Sequence, residues 1–233
     1  MIDLRRREGR PLRIGHRGAA ALAPENTLES IALAVALGCD LVEFDVHAVA
    51  GSLVLAHDRP RAAKGLPELD DALAYLASTG AGVQLDLKSR GAEREVAAAL
   101  RRHALVERTL VSSFRSATLR ALHAVEPGLR LGRTYPRDRT GLAQRPFVAP
   151  LMKPGLLALR RALARRIGGL LAGARAGVAV LHWEVVSEAV ITRCRALDAP
   201  VLVWTVDDPA VLRRLDELGV DGVITNNPGI FGD

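Results

Sequence analysis

Between Val42 and Asp58 the chain reads VEFDVHAVAGSLVLAHD, which sets Glu43, Asp45, His47, His57 and Asp58 into an otherwise apolar stretch. A carboxylate withdrawn from water is costly unless a cation or a basic group sits beside it. On a strand, residues i and i+2 share a face, so Glu43 and Asp45 point together and His47 follows them. Asp86 and Lys88 repeat that spacing in VQLDLK, His16 and Arg17 close the run LRIGHR, His182 and Glu184 end VAVLHWE, and Trp204 lies near the end of PVLVWTV. Three carboxylates on neighbouring strands suit one hard divalent cation, Mg²⁺ or Ca²⁺ with Mn²⁺ as a further option, because such ions prefer oxygen ligands. The chain has no Cys/His cluster of the kind that holds structural zinc. Two histidines beside a metal and an arginine suit acid–base chemistry on an anionic substrate.

These residues need a scaffold that aims them at one place. Short β-rich runs at 12–16, 41–47, 82–88, 109–114, 129–135, 178–184, 200–206 and 221–226 alternate with helical patterns near 27–37, 68–79, 92–103, 116–125, 155–172, 187–197 and 208–218. Such alternation predicts a parallel sheet covered by helices, an α/β fold, and eight strands in this length predict a (β/α)8 TIM barrel whose active site lies at the strand C-termini. A doubly wound sheet is the rival, but GHRGAA after the first strand lacks the GxGxxG spacing. Only seven helices are visible, so the barrel is expected to lack a closing helix. A short hairpin over 48–56 returns His57 above the second strand. Thr27 is a fair helix N-cap, and Asn26 before it is a candidate support for the site. No linker or composition break divides residues 1–233, which read as a single domain.

The stretch 134–176 is long for one connection. Within it PGLLALRRALARRIGGLLAGARAG spaces Leu156, Leu159, Leu163, Ile167 and Leu170 as on a helix. A barrel helix with its arginines in water is the first reading, and transient contact with a phospholipid surface is the second.

Composition is ordinary for a folded domain, with 49% hydrophobic and 25% charged residues. The net charge of +6 comes from scattered arginines; it reads first as a genome that favours Arg over Lys, and second as a field suited to an anionic substrate or a phospholipid surface. No basic run is interleaved with aromatics, so no nucleic-acid partner is expected. Cys39 and Cys194 stand alone and read as core thiols in a reducing compartment. The N-terminus has no apolar signal region, and nowhere do eighteen apolar residues run together, so a cytoplasmic location is expected. His103 and His123, on helices, read as structural; His47 fits either role. The oligomeric state is not legible.

The ordered series His-Arg-Gly, Pro-Glu-Asn-Thr, Glu-x-Asp and His-Asp within IGHRGAAALAPENTLESIALAVALGCDLVEFDVHAVAGSLVLAHD resembles the opening of the glycerophosphodiester phosphodiesterase family. The likeness continues through LPELDDAL, VQLDLKS, VSSFRSATLRAL and VLVWTVDDPAVLRRLDELGVDGVITNNP, and is weakest over 134–176. It implies a metal-dependent TIM barrel that hydrolyses glycerophosphodiesters to glycerol 3-phosphate and an alcohol. It further implies that Glu43, Asp45 and Asp86 hold the cation, that His16 and His57 are acid and base in an order left open, and that Arg17 and Lys88 hold phosphate oxygens. Trp204 and His182 are expected to line the substrate site. Three departures stand out: Asp86 where the family usually has Glu, a short connection between His57 and Pro67 in place of an inserted subdomain, and TNNP for Thr-Asp-x-Pro. The opened mouth keeps a lysophospholipase D-like activity as an alternative. A non-catalytic barrel binding phosphate compounds is another, and a sugar-phosphate isomerase rests on fold analogy alone.

Overall fold

The structure, a computed structural model, describes residues 1–136 and 153–232, with side chains from 158 onward in the second segment. Nine strands form one sheet: β1 (Leu12–Gly15), β2 (Leu41–Val49), β3 (Ser52–Leu55), β4 (Gly82–Leu87), β5 (Thr109–Ser113), β6 (Arg130–Tyr135), β7 (Val178–His182), β8 (Val201–Trp204) and β9 (Gly222–Thr225). Eight of them run parallel, and β1 pairs with both β2 and β9, which closes the barrel. The antiparallel β3 folds back on the long end of β2, as the hairpin reading expects, through Ala50 and Gly51, both at positive φ.

Seven helices cover the outside: α1 (Leu28–Ala36), α2 (Leu69–Ala77), α3 (Glu93–Arg102), α4 (Ser116–Val125), α5 (Lys153–Ala174), α6 (Glu188–Ala196) and α7 (Pro209–Leu218). After β9 the described residues hold only a 3-10 turn, Pro228–Phe231, in place of an eighth helix. Their starts follow from local chemistry. The Thr27 hydroxyl accepts from Ser30 N–H at 3.2 Å, Ser187 caps α6, and Asp208 with Pro209 opens α7. Leu163, Ile167 and Leu171 of α5 are buried while Arg161, Arg165 and Arg166 are exposed, so this helix packs as a barrel helix. Leu159 and Leu170 are partly buried against the same core, and Leu171 joins them. The connection 137–152 and the side chain of Leu156 lie outside the described residues.

Strand alternation sorts the apolar residues into two cores. Val42, Phe44, Val46, Val83, Leu85 and Leu87 point outward to the helices. The intervening residues point inward, where Leu12, Ile14, Leu41, Leu110, Val178, Val180, Leu202 and Ile224 fill the lower barrel. Leu4, fully buried, plugs the floor, and burying such a side chain is worth about 2 kcal/mol. Glycine at 82 keeps room for the plug, since a Cβ there would stand 2.6 Å from Ile2 Cδ1. Above these layers the inward positions turn polar: Glu43 and Asp45 on β2, Gln84 and Asp86 on β4, Ser112 on β5 and Thr134 on β6, all buried.

Candidate active site

The register explains why the acids meet. Glu43 lies beside Gln84 and Asp45 beside Asp86 across β2 and β4, and Asp86 lies beside Ser112 of β5. His16 follows β1, Lys88 follows β4, and His57 returns from β3, so all stand at the C-terminal mouth. A cavity of about 100 Å³ there is lined by His16, Arg17, Glu43, Asp45, His57, Asp86, Lys88 and Trp204 together with Gln84, Ser112, Phe114 and Thr134.

Asp45 is the most contacted residue of the group. Its carboxylate accepts from Asn26 Nδ2 at 3.2 Å and from His57 Nδ1 at 3.2 Å, and pairs with Lys88 Nζ at 2.8 Å and Arg17 Nε at 3.1 Å. Burial works to raise its pKa, but the His57 hydrogen bond and the Lys88 and Arg17 charges outweigh it and hold the carboxyl well below the usual range. The Lys88 ammonium also bonds Asp86, whose second oxygen accepts from Ser112 Oγ at 2.9 Å. Burial alone would lower the Lys88 pKa; Asp86 and Asp45 raise it instead. Glu43 differs. It accepts from the Arg17 backbone N–H at 2.9 Å but pairs with no lysine or arginine, and burial, then Asp45 and Asp86, push its pKa well up.

The two imidazoles are held alike. His16 Nδ1 lies 2.7 Å from Asn226 Oδ1, an acceptor, so Nδ1 carries the proton and Nε2 faces Glu43 at 4.0 Å. Asn226 is itself fixed by Asp207, which accepts from its Nδ2 at 2.7 Å and its backbone N–H at 2.8 Å. Burial and the Arg17 charge bring His16 down to about 4, so it is neutral at pH 7. His57 gives its Nδ1 proton to Asp45 and keeps Nε2 3.4 Å from Arg17 Nη2. Arg17 is tied at its other nitrogen to Glu25 at 2.6 Å.

The backbone around Arg17 is bent to achieve this. Arg17 has φ 50°, Gly18 has φ 84°, and a Cβ at Gly18 would stand 2.2 Å from Ser30 Oγ, which only glycine avoids. Asn26, at φ 57°, accepts from the Asp45 N–H at 2.9 Å as well as donating to its carboxylate, which makes it a support of the site.

Sequence reasoning brought together His16, His57, Arg17, Lys88, Glu43, Asp45, Asp86 and Trp204, and the structure places all of them on one cavity. His182 is elsewhere: its Nδ1 accepts from Glu184 N–H at 3.3 Å, ending β7 two residues earlier than expected, and its ring packs edge-on behind Trp204 at 5.0 Å. Phe114, Gln84, Ser112 and Asp207 were missed. Gln84 lies level with Glu43 and Ser112 level with Asp86, and Phe114 meets Trp204 edge-to-face at 5.9 Å while carrying Lys88 Nζ 5.6 Å above its ring. His47 belongs to the wall, with Nε2 3.3 Å from the His57 carbonyl, and His103 caps Asp70 on the outside. Burial pushes the thiols of Cys39 and Cys194 up to about 12 and 11, which leaves them inert core residues.

The donor set fits a hard cation in chemistry: three carboxylates share one cavity, and the charge on Glu43 has no cationic side chain of its own. Among the described residues no group of three or more His, Cys, Asp or Glu is arranged as a ready ligand cage, because Lys88 occupies the space between Asp45 and Asp86.

The sequence model of the glycerophosphoryl diester phosphodiesterase family matches residues 16–73 and 79–230. The chain belongs to that family. Its members here are phosphoric diester hydrolases by name. A glycerophosphodiester phosphodiesterase of Caldanaerobacter subterraneus subsp. tengcongensis is 24% identical over 92% of this chain and 93% of its own. A solved structure of a putative glycerophosphoryl diester phosphodiesterase from Silicibacter pomeroyi DSS-3 superposes with a TM-score of 0.75 at 24% identity, over 97% of this chain and 93% of the other. An Oleispira antarctica phosphodiesterase, solved with the product sn-glycerol-3-phosphate, gives a TM-score of 0.72 at 22% identity over 94% of each chain. These structures share the TIM-barrel fold with this chain. Among the described residues no helix is long and apolar enough to cross a membrane.

Proposed function

We propose that this phosphodiesterase hydrolyses glycerophosphodiesters to glycerol 3-phosphate and an alcohol, with His16 as general base and His57 as general acid. The observation that supports it most is the matched tethering of two imidazoles, each with Nδ1 committed and Nε2 turned toward a cavity of carboxylates and basic groups. The Nε2 lone pair of His16 takes the proton from the attacking hydroxyl. His57, its ring held through Nδ1 by Asp45, returns a proton to the departing alkoxide. The P–O bond to that alcohol breaks as the new P–O bond forms, and water supplies the net hydroxyl and proton. Arg17 and Lys88 face the charge that builds on the phosphoryl oxygens, in a partly desolvated cavity where such contacts are strong. Trp204 and Phe114 wall the substrate in. Glu43, Asp45 and Asp86 would hold one divalent cation, Mg²⁺, Ca²⁺ or Mn²⁺, which supplies Lewis-acid stabilisation of the phosphoryl group.

The test is release of glycerol 3-phosphate from glycerophosphocholine and glycerophosphoethanolamine, by EDTA-stripped protein supplied in turn with each ion. Turnover restored by a cation supports the proposal. Folded protein that turns over neither diester with any ion would discard it and move attention to lysophospholipids, for which the exposed arginines of α5 offer a surface.

A further inference from the structure

The barrel mouth opens to two sides, and their charges differ. One groove, of about 580 Å³, runs past His57 and is lined by Arg59, Lys88, Arg90 and Arg115 against the single acid Asp58. The other, of about 920 Å³, passes His16 and carries Glu25, Asp58 and Asp207 against Arg17. The basic groove shares His57, Lys88 and Phe114 with the catalytic cavity, so it is continuous with it. His57 borders both grooves, whereas His16 borders only the acidic one, so the basic groove lies on the side of the cavity away from His16.

Lys88 is already committed to Asp45 and Asp86, and the Arg115 guanidinium is bonded to the Lys88 carbonyl. Arg59 and Arg90 are different: both are exposed, and neither has an ion-pair partner among the described residues. Arg59 stands in the short connection after His57, and Arg90 directly follows Ser89, whose Oγ accepts from the Ala48 N–H at 2.9 Å. Two guanidiniums without ion-pair partners among the described residues thus line one groove from separate chain segments, and guanidinium geometry matches the oxygens of a phosphate.

We infer that this groove receives the leaving alcohol and selects diesters whose alcohol carries a second phosphate, with Arg59 and Arg90 as the specificity residues. The inference rests on the phosphodiesterase reading above, in which His57 protonates the leaving group and therefore stands beside it. A quaternary-ammonium headgroup would meet the same arginines with repulsion. Opposite signs of interaction make the discrimination large for exposed charges.

The experiment compares two soluble diesters: glycerophosphoglycerol, whose leaving alcohol is neutral, and bis(glycerophospho)glycerol, whose leaving alcohol bears a phosphodiester. After division by two for its two equivalent diesters, kcat/KM for the second should exceed the first by about fivefold at low salt, from two exposed charge contacts, and the preference should shrink as salt screens it. In R59A/R90A the ratio should fall to about one, whereas R161A/R166A, with the same change in net charge on the outer face of α5, should keep it. A wild-type ratio near one, or a ratio untouched by R59A/R90A, overturns the inference while leaving the phosphodiesterase reading standing. Hydrolysis of neither compound overturns both. Loss of binding to phosphatidylglycerol vesicles in R59A/R90A with the ratio intact would assign the groove to a lipid surface and likewise overturn it.

Discussion

Asp40 and Glu43 lie three residues apart around the start of β2, and the protein treats them in opposite ways. Asp40 is at the base of the barrel, where Arg10 reaches both its oxygens at 2.7 and 3.2 Å, Arg7 adds a contact at 3.1 Å, and the Arg13 N–H donates at 2.8 Å. Burial would raise its pKa, but these hydrogen bonds and charges win and lower it. Glu43 is at the mouth, buried where Asp40 is half-buried, and burial with Asp45 and Asp86 raises it. Asp40 comes with its counter-charges and Glu43 is left short of them, whereas its neighbours Asp45 and Asp86 share Lys88, with Arg17 also on Asp45. A perturbed buried acid in a cleft marks a candidate working site.

The largest effect at the mouth should come from removing its two imidazoles. His16→Ala and His57→Ala should each lower kcat by about a thousandfold, with a thermal midpoint close to wild type; near-normal turnover in either would sink the acid–base assignment. Next comes Glu43→Gln, which should lower kcat by about a hundredfold while the thermal midpoint holds or rises, because a poorly compensated buried charge has gone. A clear drop in stability would place Glu43 in the class of Asp40. The converse change, Asp40→Asn, should cost about 2 kcal/mol of stability measured by urea unfolding and leave kcat of the folded protein unchanged. Lost turnover there would erase the distinction between the two ends.

The smallest effect is on pH. Asp40 has a folded-state pKa below its unfolded value near 4, so its contribution is complete above that pH and disappears as pH falls through the folded value. The stability gap between wild type and Asp40→Asn should stay constant from pH 7 to about pH 5 and narrow below about pH 4. A gap independent of pH down to 3 would mean that shape, not charge, holds the floor.

Most of the barrel could be read because each strand announces itself locally. The runs at 12–16, 41–47, 82–88 and 109–114 carry a period of two between helical stretches, and the observed strands begin within a residue of them. The period also put Glu43, Asp45, Asp86 and Lys88 on the inward face, and that face is where they are. What escaped depended on partners distant in sequence. Asn226 was noted as a departure in TNNP, but its place against His16 depends on β1 meeting β9, and Asp207 reaches His16 through Asn226. His182 has the right spacing for the mouth, yet the cap it gives to Glu184 N–H turns the chain early and leaves Trp204 in front. The placing of Gln84 beside Glu43 and of Ser112 beside Asp86 needed the register, which no single strand contains.

The bond between His16 and Asn226 spans 210 positions of chain. It crosses the seam where the first strand, held by Leu12–Gly222 through Gly15–Thr225 pairing, meets the last. Joining ends so far apart is the slowest kind of contact for a folding chain to make. Until β9 pairs with β1, the His16 ring lacks the Asn226 oxygen that orients it, so closing the seam and fixing this imidazole are one event.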